Sequence, residues 1–170
     1  MSKDKIRVGF IGLNPDSHWA ATAHLPALQS LQDDLEIVAV ANSTLESAQK
    51  TAKALNLPHA FASYKELVTS DEVDLVVVTV KVPYHFEMIS AALNSGKHVY
   101  SEWPLGNGLE EAQKLAKLAK EKNVAVAIGT QMRYAPEVTY LKKLIEDGYV
   151  GQVLSTSLIG SGGNWSNQTA

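Results

Sequence analysis

The sequence predicts an α/β protein built on a doubly wound, mostly parallel sheet with helices on both faces. Three observations carry that prediction. The chain opens on an apolar run, Ile6-Arg7-Val8-Gly9-Phe10-Ile11, which reads as a strand covered on both faces. Residues 73–80 form the most hydrophobic run of the chain and read as a second, central strand. Around these two, apolar runs alternate with segments of helical spacing, at intervals too short for anything except right-handed crossovers.

Each element follows from its own residues. The first strand stops at Gly12, and the polar residues 14–17 form a turn. Residues 19–28 are mostly apolar and start a helix, with Asp16 or Ser17 expected as its N-cap. A second strand, 35–41, ends at Asn42-Ser43-Thr44, and residues 44–55 place Leu45, Ala48, Ala52 and Leu55 at helical spacing. A short strand at 59–61 and a short helix at 64–68 precede the central strand. Residues 83–95 are helical and closed by Gly96, and 97–100 make a fifth strand. An amphipathic helix at 109–122 leads to a sixth strand at 124–128.

After that the pattern changes. Residues 134–147 read as a helix ended by Gly148, and residues 151–159 as a strand before Gly160-Ser161-Gly162-Gly163. A lone strand is not a stable unit. The expected division is therefore one domain over 1–129 and the start of an incomplete second domain over 130–170. Without further strands, residues 153–159 would be an unpaired edge and an aggregation risk.

Composition narrows the classes. The chain has 170 residues, 45% of them hydrophobic and 19% charged, as in an ordinary globular protein. A formal net charge of −3 offers no electrostatic footprint for direct nucleic-acid binding or an anionic membrane. No run approaches the ~18 apolar residues of a membrane span. Met1-Ser2-Lys3-Asp4-Lys5 leads into a strand and not a signal peptide, so the expected location is cytoplasmic, or nuclear for a regulator. Cysteine is absent, and five scattered histidines without clustered carboxylates point to no metal site.

The strand, glycine turn and helix start at 6–28 form the arrangement that places backbone N–H groups and a positive dipole end under a pyrophosphate. The fingerprint G-x-G-x-x-G is incomplete. Gly12 fills the first position, Asn14 can stand at the second because Asn tolerates left-handed backbone, and Ser17 or His18 occupies the third with an extra residue in the turn. An ordinary strand-to-helix turn without ligand is the competing reading. Gly12, Leu13, Asn14, Ser17, His18 and Trp19 are the candidates on this side. Cofactor choice is read at the end of the second strand, where an acidic residue selects NAD and a basic one accepts the 2′-phosphate of NADP. Asn42, Ser43 and Thr44 are neither, and hydroxyls without a repelling carboxylate lean slightly to NADP; Lys50 lies too far along its helix to contribute.

Several spaced motifs then occur in one order. They are Val8-Gly9-Phe10-Ile11-Gly12, His24-Leu25-Pro26-Ala27-Leu28, His85 after the fourth strand, and residues 92–99 followed by Glu102-Trp103-Pro104-Leu105. Gln131-Met132-Arg133-Tyr134-Ala135-Pro136 and the pair Gly148, Gly151 continue the series. In these the chain resembles the Gfo/Idh/MocA oxidoreductases over nearly its whole length. The resemblance implies an N-terminal NAD(P)-binding Rossmann domain joined to a C-terminal α/β domain. It also implies oxidation or reduction of sugars and cyclitols, and dimers built through the second-domain sheet.

The departures are equally specific. Members carry Glu-Lys-Pro after the fifth strand, with the lysine assisting proton transfer, whereas this chain has Glu102-Trp103-Pro104. Tryptophan has an N–H donor and no basic nitrogen, so it cannot accept an alcohol proton. The second-domain Asp-x-x-x-His motif would lie beyond Ala170. This chain alone is therefore expected not to turn over substrate by the family mechanism. Gly12-Leu13-Asn14, Trp19, residues 80–85, Glu102-Trp103 and Gly160-Ser161-Gly162-Gly163 resemble most the branch containing the fungal galactose-pathway repressor, a dinucleotide-binding regulator that binds an activator protein.

Single residues complete the expectations. Lys81, His85 and Trp103 are the candidates for chemistry, each against a plainer role as surface lysine, helix cap or packing residue. Val80, Lys81, His85, Glu102 and Trp103 are expected around the nicotinamide ribose, and Gln131 and Arg133 toward the substrate side. His24 reads as a packed, hydrogen-bonded histidine and Lys97 as structural. Three functions stay open: a sugar or polyol oxidoreductase, a nucleotide-sensing regulator with a protein partner, and a folded fragment inactive alone.

Overall fold

A computed structural model describes residues 5–16 and 19–159. Six strands, β1 (Ile6–Ile11), β2 (Leu35–Ala41), β3 (His59–Phe61), β4 (Leu75–Val78), β5 (His98–Glu102) and β6 (Val126–Gly129), form one sheet. Every pairing is parallel, and the spatial order is β3-β2-β1-β4-β5-β6. The chain winds outward from β1 to one edge and from β4 to the other. This is the doubly wound fold, with its switch point between β1 and β4.

Alternation explains why the strands are apolar throughout. Val8, Phe10, Val40 and Val77 point to one face, where they pack with Leu13, Leu25, Ala48 and Ala52. Ile11, Ala39, Val76 and Val78 point to the other, against Leu67, Ile89, Leu93 and Leu115. The first face is covered by α1 (Leu25–Ser30) and α2 (Leu45–Leu55), the second by α3 (Tyr64–Thr69), α4 (His85–Asn94) and α5 (Leu109–Lys122). Both side-chain sets are out of water, so no polar face is needed. Helices α2 and α5 stop at Asn56 and Asn123, whose φ values of 55° and 54° are left-handed.

Three expectations need correction. The helix expected from residue 19 starts with a π-helical turn, Ala20–His24, whose N-cap position is Trp19 with no side-chain cap. Asp16 does not cap it: its backbone N–H donates to Asn14 Oδ1 at 3.0 Å, closing a local turn; Ser17 lies outside the described residues. The central strand is shorter than its apolar run, since Val73 is buried ahead of β4 and the chain turns after Val78. Residues 151–159 contain no strand and are exposed throughout. A strand is defined by its ladder, and among the described residues no neighbouring strand supplies one there. The expected Gly160-Ser161-Gly162-Gly163 segment lies outside the described residues.

By compactness the chain divides into two units, Met1–Gly129 and Thr130–Ala170. In the second, a 3-10 turn (Gln131–Tyr134) leads into α6 (Pro136–Glu146), none of whose residues is buried. No helix among the described residues is long and apolar enough to cross a membrane.

Candidate functional site

A cleft of about 850 Å³ opens over the C-terminal ends of β1, β2 and β4, lined among others by Gly12, Asn14, Asn42, Lys81 and Glu102. The sheet creates it. At the switch point the connections from β1 and β4 run to opposite faces, so nothing fills the space between them.

Gly12 starts the floor. Its φ is +91°, and a Cβ there would lie 2.5 Å from Val80 Cγ1, so conformation and space both require glycine. Its N–H donates to Ala41 O at 2.9 Å, and Thr79 Oγ1 donates to its carbonyl at 2.9 Å. The turn is thus tied to both neighbouring strands.

The missing second glycine is replaced differently from the expectation. Outside glycine, the described residues with positive φ are Asn56 and Asn123, so Asn14 does not use left-handed backbone. The turn is shaped instead by burying Leu13, 1% exposed, and gripping its carbonyl. Asn42 Nδ2 donates to Leu13 O at 2.9 Å, and Thr51 Oγ1, from α2, donates to it at 3.3 Å. Asn14 lines the cleft and its side chain accepts from Asp16. Ser17 and His18 lie outside the described residues. Trp19 lines the cleft and is 49% exposed.

At the end of β2, Asn42 and Ser43 line the cleft and Thr44 does not. Thr44 caps α2, its hydroxyl accepting from Ser47 N at 3.1 Å. The donors behind the NADP lean are therefore largely engaged: the Asn42 amide faces inward and Thr44 holds a helix end.

On the β4 side, Val80 and exposed Lys81 line the cleft. His85 does not. It is buried, 1% exposed, with Nδ1 2.8 Å from Pro104 O and Nε2 2.9 Å from Val80 O. Its ring fastens the connection after β4 to the loop after β5, a positioning role in place of the expected ligand contact. Burial was not visible in its sequence position, directly after a 3-10 turn, Val82–Tyr84.

Glu102 ends β5 and lines the cleft, its Oε1 bonded to His24 Nε2. His24 closes the π-helical turn and sits edge-on to Phe10 and Tyr100, at ring separations of 6.2 and 5.3 Å. The extra residue of a π-turn rotates the helix face, and here it brings the imidazole to the carboxylate. Burial, with the Glu102 carboxylate, pushes the Tyr100 phenol above its ordinary range. Trp103 is 67% exposed on the following loop, and its peptide bond to Pro104 is cis. Gln131 and Arg133 lie in the 3-10 turn of the second unit, both exposed.

Sequence reading missed the wall formed by Ser63, Tyr64 and Met88, which Tyr84 completes. Tyr64 donates to Glu87, which holds its phenol, raised to about 12. Ser63 caps α3 through Glu66 N, a pattern visible as Ser63-x-x-Glu66.

The family model described as an oxidoreductase family with an NAD-binding Rossmann fold, GFO_IDH_MocA, matches residues 6–130. Dehydrogenase aclE of Aspergillus oryzae is 40% identical over 164 residues, covering 94% of this chain and 44% of that protein. The galactose/lactose metabolism regulatory protein GAL80 of Kluyveromyces lactis is 34% identical over 171 residues, covering 95% of this chain and 37% of that one. A crystal structure of a super-repressor mutant of Gal80p from Saccharomyces cerevisiae superposes with a TM-score of 0.80 at 32% identity, covering 88% of this chain and 41% of that one. The chain spans less than half the length of each of these relatives.

Proposed function

Because the chain belongs to the Gfo/Idh/MocA oxidoreductase family, with its NAD-binding Rossmann fold, we propose that the cleft over β1, β2 and β4 holds a nicotinamide dinucleotide. The observation that carries this reading is the Gly12 turn at the floor of that cleft, pinned to β2 and β4 at the switch point. Backbone amides of the loop after Gly12 would hold the pyrophosphate. Asn42 and Ser43 would meet the adenosine ribose, Tyr64 and Met88 the adenine side, and Val80, Lys81 and Glu102 the nicotinamide ribose.

When bound, the dinucleotide supplies a hydride acceptor or donor. The chain's own task is to orient it and to handle a proton. Trp103 offers no basic nitrogen for that task, and Glu102 is hydrogen-bonded to His24. Residues 1–129 are then the dinucleotide-binding domain and residues 130–170 the beginning of a second domain, consistent with relatives more than twice as long. This chain alone binds cofactor without turning over a substrate.

For the whole protein, the likeness to aclE favours a dehydrogenase, in line with the sugar or polyol chemistry implied by the family. Trp103 in place of lysine and the likeness to GAL80 favour a regulator whose affinity for a protein partner follows bound dinucleotide.

Calorimetric titration of the purified chain with NADH tests the reading. Saturable one-site binding is expected, and no heat from a chain shown folded by circular dichroism overturns it. Hydride exchange across a polyol panel by this chain alone would sink the claim that it is catalytically incomplete.

A further inference from the structure

We propose that Asn42 makes this site selective for dinucleotides with a free 2′-hydroxyl, NAD(H) over NADP(H), by presenting a fixed amide oxygen to the adenosine ribose. The inference rests on the dinucleotide reading above and reverses the lean drawn from residue types alone.

An asparagine amide has a donor end and an acceptor end, and its neighbours decide which way it faces. Here Nδ2 lies 2.9 Å from Leu13 O, 3.2 Å from Thr51 Oγ1 and 3.3 Å from Ser47 Oγ. Leu13 O only accepts, and it also takes the Thr51 hydroxyl proton. Turning the amide over would set Oδ1 against that carbonyl, oxygen to oxygen, so the orientation is locked. Oδ1 is the end left over. It has no hydrogen-bond partner among the described residues, and Asn42 lines the cleft directly after β2.

An amide oxygen can only accept. A ribose 2′-hydroxyl donates to it as it would to the carboxylate that ends the second strand of NAD-selective folds. A 2′-phosphate presents acceptors of its own, and an oxygen facing oxygens is repulsive.

Among the described residues that line the cleft, Lys81 is the one cation. The charged residue in the first turn of α2 is Glu46, which is acidic and exposed. Lys50 follows on the same helix a turn further on, exposed. Lys81 lines the cleft from the β4 side, but β1 stands between β2 and β4, placing those strands about 10 Å apart. The Ser43 and Ser47 hydroxyls also line the cleft, and neutral donors do not balance a phosphate dianion.

The test is calorimetry with NADH and NADPH on the 170-residue chain and two variants. Wild type should bind NADH at least about tenfold more tightly than NADPH. Asn42→Ala removes the acceptor, and the ratio should fall to within about threefold. Thr51→Val removes a grip on Leu13 and one contact of the Asn42 nitrogen, while Leu13 O still holds the amide in its orientation; it should weaken both cofactors while keeping their ratio. Equal or tighter NADPH binding by wild type overturns the inference and leaves the dinucleotide reading standing. So does an unchanged ratio in Asn42→Ala. Binding of neither cofactor by the folded wild-type chain overturns the dinucleotide reading and the selectivity with it.

Discussion

The two ends of the same sheet are built to opposite ends. At the N-terminal ends of the strands, polar groups close on one another. Arg7, in β1, donates through Nη2 to Asp74 Oδ1 at 2.8 Å and through Nη1 to Glu72 at 3.3 Å, and Lys97 Nζ donates to Ser70 O at 2.7 Å. At the C-terminal ends, Asn42 and Lys81 line an open cleft and Trp103 is largely exposed. Direction is the reason. Parallel strands all end on one side, where successive connections diverge, while the start of each strand is approached by chain already packed against the sheet. Polar groups at one end serve stability, and at the other, on the function proposed above, they serve a ligand.

Substitutions break that comparison in order of expected effect. Gly12→Ala should be the most severe, because a Cβ meets Val80 at 2.5 Å in a backbone of φ +91°. A loss of about 3 kcal/mol in urea unfolding is expected, together with loss of NADH binding. Near-normal stability with intact binding would mean that the turn relaxes freely. His24→Ala should cost about 2 kcal/mol by leaving the half-buried Glu102 carboxylate without its partner. As Glu102 lines the cleft, NADH affinity should also fall about tenfold; unchanged affinity would place Glu102 outside the ligand's reach.

The other end should affect stability alone. Asp74→Asn is expected to cost about 1 kcal/mol after solvent screening, with NADH affinity unchanged. The Arg7 guanidinium holds the Asp74 carboxyl below its ordinary value of 3.8. Its contribution is thus complete above that value and lost as pH falls through the lower, folded one. Wild type should lose its advantage over Asp74→Asn in acid, and an advantage independent of pH would refute the ion pair as its source. The smallest effect at neutral pH belongs to Tyr64→Phe. The raised phenol, at about 12, stabilises fully below the ordinary 10.0 and loses that contribution as pH rises through about 12. Ultraviolet titration should show Tyr64 and Tyr100 titrating late, with the Tyr64 phase absent from this variant, and an unchanged late phase in Tyr64→Phe would assign the shift elsewhere.

Strands and helices were legible wherever the signal was local. The runs at 6–11 and 35–41 and the helical spacing at 45–55 are patterns within a dozen residues, and folding preserved them. The strand expected at 151–159 failed because a strand needs partners as well as composition. The site was legible as a place and not as a set of roles. Gly12, Asn42, Lys81 and Glu102 were each singled out, yet what each does depends on a neighbour far along the chain. Asn42 meets Leu13 across 29 residues, His85 meets Pro104 across 19, and Glu102 meets His24 across 78.

By itself, then, the sequence determined the alternation of strand and helix, the glycine turn at the start and the lack of a basic group at Trp103, since these are set by side-chain chemistry and short-range periodicity. Tertiary structure alone decided which polar groups look inward. It turned the Asn42 nitrogen to Leu13, and it buried His85 between two carbonyls. The physical reason is that a hydrogen-bonding side chain takes its function from its partner, and in a parallel sheet the partners come from strands adjacent in space and distant in sequence.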